Sequence, residues 1–181
     1  DTGANINNLS IGGETPEFDL VKEAIRYAEK KGVLVVAAAG NGDTLSGIGF
    51  DLDDRPSYPA ALNGPNMINV AALDGNELAM YSNYSARLVH VAAPGGTSER
   101  PLFSASMDSP SPRRWQGMNG TSMATPLVSG VAALILSQMP TTIAFKKMRT
   151  IMEGCSEYLP ELDNQIEAAG RVRTDFCLAS M

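Results

Sequence analysis

The feature that most constrains the fold is an unbroken apolar run at residues 33–39, preceded by a stretch with helical spacing. In residues 17–31, apolar side chains recur at Leu20, Ala24 and Ala28, a spacing that predicts an amphipathic helix. An apolar run without polar breaks is typical of a parallel strand buried on both faces. With a short strand predicted at residues 6–11, the order strand, helix, strand indicates a βαβ unit.

Further elements continue the alternation of strands and helices. Residues 67–72 and 88–93 are predicted strands, and residues 143–153 form a last amphipathic helix. Residues 123–139 are apolar almost all round, so we expect a helix buried in the middle of the domain. The predicted fold class is α/β, a parallel sheet with helices on both faces, with all 181 residues in one domain.

Composition excludes some function classes. The net charge of −6 argues against a nucleic-acid partner, which requires clustered Lys and Arg. No apolar run reaches the roughly 18–20 residues of a membrane span, so none is expected. The chain begins at Asp1 without an initiator Met or a signal-peptide pattern, and we expect it to start inside a longer precursor.

Two cysteines and one histidine do not make a zinc site. Free thiols are the favoured state for Cys155 and Cys177, with a disulfide as the alternative. His90 lies in an apolar stretch and is interpreted as a structural or surface-tipped strand residue.

Two polar residues stand where catalysis could occur. Ser122 directly precedes the apolar helix, where free backbone N–H groups favour negative charge, although many such serines only cap a helix. Asn41 follows the apolar strand, where its amide could donate to an oxyanion or merely form a turn. An α/β-hydrolase is disfavoured, because Ala124 replaces the last Gly of its motif and no His follows Ser122.

Residues 119–126, NGTSMATP, resemble the nucleophile motif of the subtilase family of serine proteases. Residues 32–41, GVLVVAAAGN, resemble its oxyanion-hole strand, and residues 8–13, NLSIGG, resemble its substrate-binding strand. Shorter matches at residues 58–60, 91–95 and 170–172 follow the family order. The resemblance therefore covers nearly the whole chain and implies the C-terminal part of a subtilisin-like catalytic domain.

This resemblance implies the role of each site residue. Ser122 attacks the scissile carbonyl, and Asn41 with the Ser122 backbone N–H binds the oxyanion. The substrate, a peptide or protein, pairs with a strand of this chain, and the Tyr58–Pro59 peptide bond is cis. The residues implied to bind substrate are Ser10, Ile11, Gly12, Ala38, Ala39, Gly40 and Ser57, with Ser57 near the base of the first specificity pocket.

The catalytic Asp and His of the family are missing, because the family order is Asp, His, Ser. Asp1-Thr2-Gly3 resembles the Asp motif but leaves no room for a His segment before the substrate-binding strand. We expect an upstream segment or chain to supply both residues. Leu127 stands where the family usually has a His, which implies only a change in packing.

The sequence also bears on a cofactor and on the location of the protein. The acidic loop at residues 51–54, DLDD, offers hard oxygen ligands for calcium, but a solvated loop is the commoner arrangement. No metal ligand is assigned. The family resemblance favours secretion.

Three hypotheses remain for function. The chain is the serine-bearing part of an active endopeptidase, a catalytically incomplete chain that binds peptides or a partner, or a truncated chain without a native role. In each case we expect no triad-dependent activity from the chain alone. We also expect a bare sheet edge or apolar patch, and a cleft on which Ser122 and Asn41 converge.

Overall fold

The computed structural model describes residues 3–14, 19–43, 45–107, 114–139 and 145–179. Within these residues, a seven-stranded sheet is accompanied by a two-stranded hairpin and by helices. The elements are β1 (Ile6–Leu9), α1 (Asp19–Lys30), β2 (Leu34–Ala38), β3 (Met67–Asp74), β4 (Glu77–Leu78), β5 (Val91–Pro94), β6 (Leu102–Ala105), β7 (Trp115–Met118), α2 (Thr121–Gln138), α3 (Phe145–Gly154), β8 (Ser156–Tyr158), β9 (Gly170–Val172) and α4 (Thr174–Ala179).

The main sheet has the order β1-β2-β3-β5-β9-β8. The first five of these strands are parallel, which confirms the predicted parallel sheet. β8 and β4 pair antiparallel with β9 and β3, so the sheet is mixed at its margins. β1 forms one edge, and no described strand pairs with its outer side.

Helices cover both faces of this sheet, as predicted. Leu34 and Val36 of β2 belong to the core cluster that includes the buried residues of α2. Val35 and Ala37 of the same strand pack with the buried residues of α1. Successive side chains of a strand point to opposite faces, so a wholly apolar strand is what this two-sided burial requires.

The long helix α2 is less buried than its composition predicts. One face packs on the sheet, but Leu127 and Leu134 on the other face are 45% and 46% exposed. By length and composition alone, α2 could also span a membrane, contrary to the sequence expectation of no such segment. The core helix of a soluble protein meets the same criterion, and the buried residues Val128 and Ile135 pack on the sheet.

The expectation of free thiols is wrong. Cys155 and Cys177 form a disulfide, with their Cα atoms 4.8 Å apart and both side chains buried. The fold brings α4 back beside the end of α3, which the separation of 22 residues in sequence does not reveal.

His90 is a structural residue, fully buried just before β5. Its Nδ1 accepts the backbone N–H of Asn69 (2.7 Å), and its Nε2 donates to Asn63 Oδ1 (3.0 Å). Burial, together with the nearby positive charge of Arg149, lowers the pKa of His90 to about 3. The ring is therefore neutral at pH 7, and its 3.7 Å approach to Glu167 is not an ion pair.

Candidate active site

Asn41 and Ser122 line one cavity of about 360 Å³. Asn41 follows the carboxyl end of β2, and Ser122 lies in the first turn of α2. In α/β proteins, ligands bind beyond the carboxyl ends of the parallel strands. The fold thus brings together the two residues that the motifs single out, although they are far apart in sequence.

The side-chain amide of Asn41 is held in one orientation by Thr121. The backbone N–H and the hydroxyl of Thr121 both donate to Asn41 Oδ1, each at 2.8 Å. Gly120 permits this approach, because its φ is +142° and a Cβ there would lie 3.1 Å from Asn41 Nδ2. With Oδ1 occupied, Nδ2 remains as a donor, and it donates to no residue that the structure describes.

A second donor is the backbone N–H of Ser122. The N–H groups of the first helical turn have no acceptor within the helix, and Ser122 N–H reaches none elsewhere among the described residues. The helix dipole adds positive potential at this end of α2. Two fixed donors beside a hydroxyl suit an oxygen that gains negative charge during a reaction.

The hydroxyl of Ser122 faces the end of the β1 segment. Ser122 Oγ donates to the Ser10 carbonyl (3.2 Å), and Ser10 Oγ donates to the Ser122 carbonyl (2.9 Å). Pro126 explains the second bond, since it has no N–H for the carbonyl four residues earlier. Ser10 satisfies the acceptor that the proline leaves open.

No described side chain is placed to accept the proton of Ser122. Its hydroxyl bonds to the Ser10 carbonyl, which is not a base at neutral pH. The single His of the sequence, His90, is fully buried, with partners on both ring nitrogens. Ser122 therefore has no general base in contact with its hydroxyl in the part of the chain that the structure describes.

Ser57 lies between two glycines of the cavity wall. A Cβ on Gly12 would be 3.5 Å from Ser57 Oγ, and one on Gly40 would be 3.2 Å from it. Ser57 and Ala38 are buried and line the cavity, and the exposed Ile11 lines it as well. The space inside this pocket thus depends on the two glycines, because a side chain at either position would approach Ser57.

Ala39, in contrast, is not on the cavity lining. Its side chain is fully buried in the core cluster that contains Leu52 and Ala60. The alternation of strand residues places Ala38 and Gly40 on the cavity side and Ala39 behind them.

The segment expected to bind substrate keeps its backbone available. Among the described residues, Ile11 and Gly12 make no backbone hydrogen bond, and Ile11 is 56% exposed. Gly13 is paired with Tyr58 by two bonds, at 3.0 and 2.8 Å, which fixes the end of the segment. The Tyr58–Pro59 bond is cis, as predicted.

Asn83 supports the site but was missed by sequence reasoning. Its Nδ2 donates to the Ala39 carbonyl (3.1 Å), and its backbone N–H donates to Gly40 (3.0 Å). Its Oδ1 accepts the backbone N–H groups of Gly42 (3.0 Å) and Phe50 (3.2 Å). Asn83 therefore holds the loop that carries the Asn41 amide. The only signal was a polar stretch, residues 81–85, between two apolar strands.

The acidic loop 51–54 has partners other than a metal. Asp53 accepts the Ser85 hydroxyl (2.7 Å) and pairs with Arg87, and Asp51 Oδ1 accepts the backbone N–H of Asp53 (2.9 Å). The Ser85 hydrogen bond is the main cause of the lowered pKa of Asp53. No group of three or more His, Cys, Asp or Glu could hold a metal in the part of the chain that the structure describes. The calcium hypothesis gains no support there.

Comparison with known proteins decides the family. The sequence model of the subtilase family matches residues 1–164. The chain belongs to the subtilase family. Thermitase from Thermoactinomyces vulgaris is 39% identical over 139 residues, which cover 76% of this chain and 42% of thermitase. An extracellular protease from Xanthomonas campestris is 34% identical over 174 residues, covering 95% of this chain and 28% of that protein.

Solved structures agree with this assignment. A protease from Pseudoalteromonas arctica superposes with a TM-score of 0.78 at 30% identity, over 98% of this chain and 51% of that one. A lanthipeptide protease shares the fold, with a TM-score of 0.82 at 23% identity. This subtilase chain spans less than half the length of the curated relatives it matches. The predicted subtilisin-like fold and the protease family are thereby confirmed.

Proposed function

We propose that this chain is the serine-bearing part of a subtilisin-like serine endopeptidase. Ser122 is the nucleophile, and the Nδ2 of Asn41 with the Ser122 backbone N–H stabilises the oxyanion. An Asp and a His from an upstream segment or a separate chain complete the triad, because the relatives extend well beyond the part that this chain matches.

The orientation of Asn41 is the observation that carries this proposal. Thr121 occupies Asn41 Oδ1 with two bonds, which leaves Nδ2 as the donor of this amide. Neither Nδ2 nor the N–H of Ser122 has an acceptor among the described residues, and both residues line the same cavity. Preorganised donors lower the barrier because no reorganisation is needed when charge develops. An Asn that served only a turn would need no such fixation.

The substrate is a peptide or protein segment that adds to the chain at Ser10, Ile11 and Gly12. The free backbone groups of Ile11 and Gly12 support this mode of binding, in which main-chain bonds give affinity and pockets give specificity. The side chain that precedes the scissile bond enters the cavity between Gly12, Gly40 and Ser57. This cavity is called the first specificity pocket below.

We also propose an extracytoplasmic location. The Cys155–Cys177 disulfide supports it, since such bonds persist mainly in oxidising compartments. One relative is itself named an extracellular protease.

The second candidate is a catalytically incomplete peptide-binding protein. It is favoured by the contact of the Ser122 hydroxyl with Ser10 and by the burial of His90. Both candidates predict peptide binding in the same cavity, and they differ in whether hydrolysis follows.

The test uses the longest form of the protein that the natural source contains, identified by mass analysis. We expect an upstream segment with an Asp and a His, and cleavage of fluorogenic peptides that Ser122→Ala abolishes. Asn41→Ala should lower kcat on the order of 10²–10³ with little change in KM. Asn76→Ala, at an exposed turn, is the matched control and should change neither kcat nor KM. Binding of peptides without any Ser122-dependent cleavage would favour the second candidate.

A further inference from the structure

One stretch of the cavity wall is held by a cluster of charged side chains that takes no part in the proposed catalytic mechanism. Arg55 donates to both carboxylate oxygens of Glu14, at 2.6 and 2.8 Å, and to Asp43 Oδ2 at 2.9 Å. Its guanidinium lies over the Phe50 ring, 4.5 Å from the ring centre. We call Glu14, Asp43 and Arg55 the Arg55 clamp.

The clamp joins two walls of the first specificity pocket. Glu14 directly follows Gly13, at the end of the segment proposed to pair with substrate, and itself lines the pocket. Asp43 directly follows Gly42 in the loop that carries Asn41. Asp43 is anchored in turn, since it accepts the backbone N–H groups of Leu45 (2.8 Å) and Ser46 (3.3 Å). The guanidinium is therefore a strut between the two segments.

The clamp also sets the charge of the pocket. Among the described lining residues, Glu14 is the one with a charged side chain; the others are small, apolar or neutral, including Phe50, Ala38 and Ser57. Arg55 contacts both oxygens of Glu14, a bidentate geometry that neutralises a carboxylate effectively. Hydrogen bonds that Arg55 donates to Glu14 and Asp43 raise the pKa of Arg55, so it is a cation at any working pH.

We propose that Arg55 is a specificity-determining positioning residue, which masks Glu14 and thereby suits the first specificity pocket to uncharged apolar side chains. This inference rests on the proposed function, because it assumes that a substrate side chain enters this cavity. Without Arg55, the carboxylates of Glu14 and Asp43 face the pocket and its rim unopposed. The preference then moves toward Lys and Arg side chains.

The experiment measures binding by the whole chain, so it needs no catalytic activity. The probes are acetyl-Ala-Ala-Ala-X peptides with a free C-terminal carboxylate, where X is Leu, Lys or Glu, and affinity is measured by calorimetry. We expect the unaltered chain to bind the Leu peptide more tightly than the other two. Arg55→Met should raise the affinity for the Lys peptide relative to the Leu peptide about tenfold, the equivalent of 1.4 kcal/mol.

Two further variants separate charge from shape. Arg55→Met combined with Glu14→Gln should lose the gain for Lys while still binding the Leu peptide. Arg87→Met removes an arginine that pairs with Asp53 and does not line this cavity, and it should leave the ranking unchanged. If the unaltered chain binds peptides but Arg55→Met keeps its ranking, the inference fails and the proposed function stands. If the unaltered chain binds none of the peptides, the proposed function fails and the inference fails with it.

Discussion

Ser10 and Ser122 exchange two hydrogen bonds, each hydroxyl donating to the backbone carbonyl of the other residue. The pair joins the segment after β1 to the first turn of α2. It also holds the Ser122 hydroxyl in a definite place, where no basic side chain among the described residues contacts it. This reciprocal contact depends on Pro126, which frees the Ser122 carbonyl from the helix.

The role of Pro126 can be tested with a double-mutant cycle. Ser10→Ala should lower the free energy of unfolding by about 1 kcal/mol, since it removes one bond to a partly buried carbonyl. In a Pro126→Ala background, the new N–H satisfies that carbonyl, so Ser10→Ala should cost less, with a coupling of about 0.5–1 kcal/mol. Chemical denaturation of the four proteins measures this difference.

The control for the cycle is Ser104→Ala, at an exposed position of β6. An exposed substitution of this kind should change stability by less than about 0.5 kcal/mol. Equal costs of Ser10→Ala in both backgrounds would refute the link between Pro126 and Ser10.

The buried His90 predicts a loss of stability in mild acid. Its folded pKa of about 3 lies below the unfolded value of 6.5, so between these values the unfolded chain binds more protons. The contribution of neutral His90 to the free energy of unfolding is complete above pH 6.5 and is lost as the pH falls toward 3. From pH 7 to pH 5, the free energy of unfolding should drop by about 2 kcal/mol on this account.

Urea unfolding at pH 7, 6 and 5 gives this slope. His90→Gln removes the titrating ring and should flatten the profile, whatever its effect on stability at pH 7. An unchanged slope in this variant would assign the acid sensitivity to other groups.

The regular elements with a clear period were predictable from sequence. α1, β2 and β3 lie where their apolar patterns predict them, because burial of one or both faces determines the spacing of apolar residues in the sequence. The strand expected at residues 88–93 starts only at Val91. There, the backbone N–H of Asn69 donates to the His90 ring and not to a backbone carbonyl, and no hydrophobic periodicity predicts such a bond.

Contacts between distant segments were not predictable. The hairpin of β6 and β7 lies in a stretch rich in Gly, Ser and Pro, a composition typical of a loop, and within the described residues its strands pair only with each other. At the site, the motifs indicated Ser122 and Asn41. Thr121 and Asn83 became visible only through bonds across 80 and about 40 positions of sequence, respectively. Side-chain supports of this kind depend on the fold and have no local pattern.

The disulfide predicts an all-or-none thiol count. Denatured chain without reductant should show no reactive thiols by a colorimetric assay, and two after reduction. The paired change Cys155→Ala with Cys177→Ala should lower the free energy of unfolding by about 3 kcal/mol, the range expected for closing a loop of this size. Two thiols in the unreduced chain would show that the bond does not form in solution.

The exposed face of α2 and the open edge of β1 predict self-association. Leu127 and Leu134 are separated by two helical turns and therefore lie on one stripe of α2, where both are nearly half exposed. β1 offers backbone groups that no described strand uses. In the function proposed above, an upstream segment completes the site and also covers these surfaces, because the matched relatives are at least twice as long as the matched part. In its absence, the chain should bind a hydrophobic dye and form larger species in sedimentation as its concentration rises.

Leu127→Lys with Leu134→Lys should reduce both signals while changing the unfolding free energy by less than about 0.5 kcal/mol, because neither side chain is in the core. Leu45→Lys, at a position that is 96% exposed but away from this stripe, is the matched control and should leave both signals as they are. If the chain stays monomeric at both low and high concentration and binds no dye, neither the α2 stripe nor the β1 edge is available to a partner.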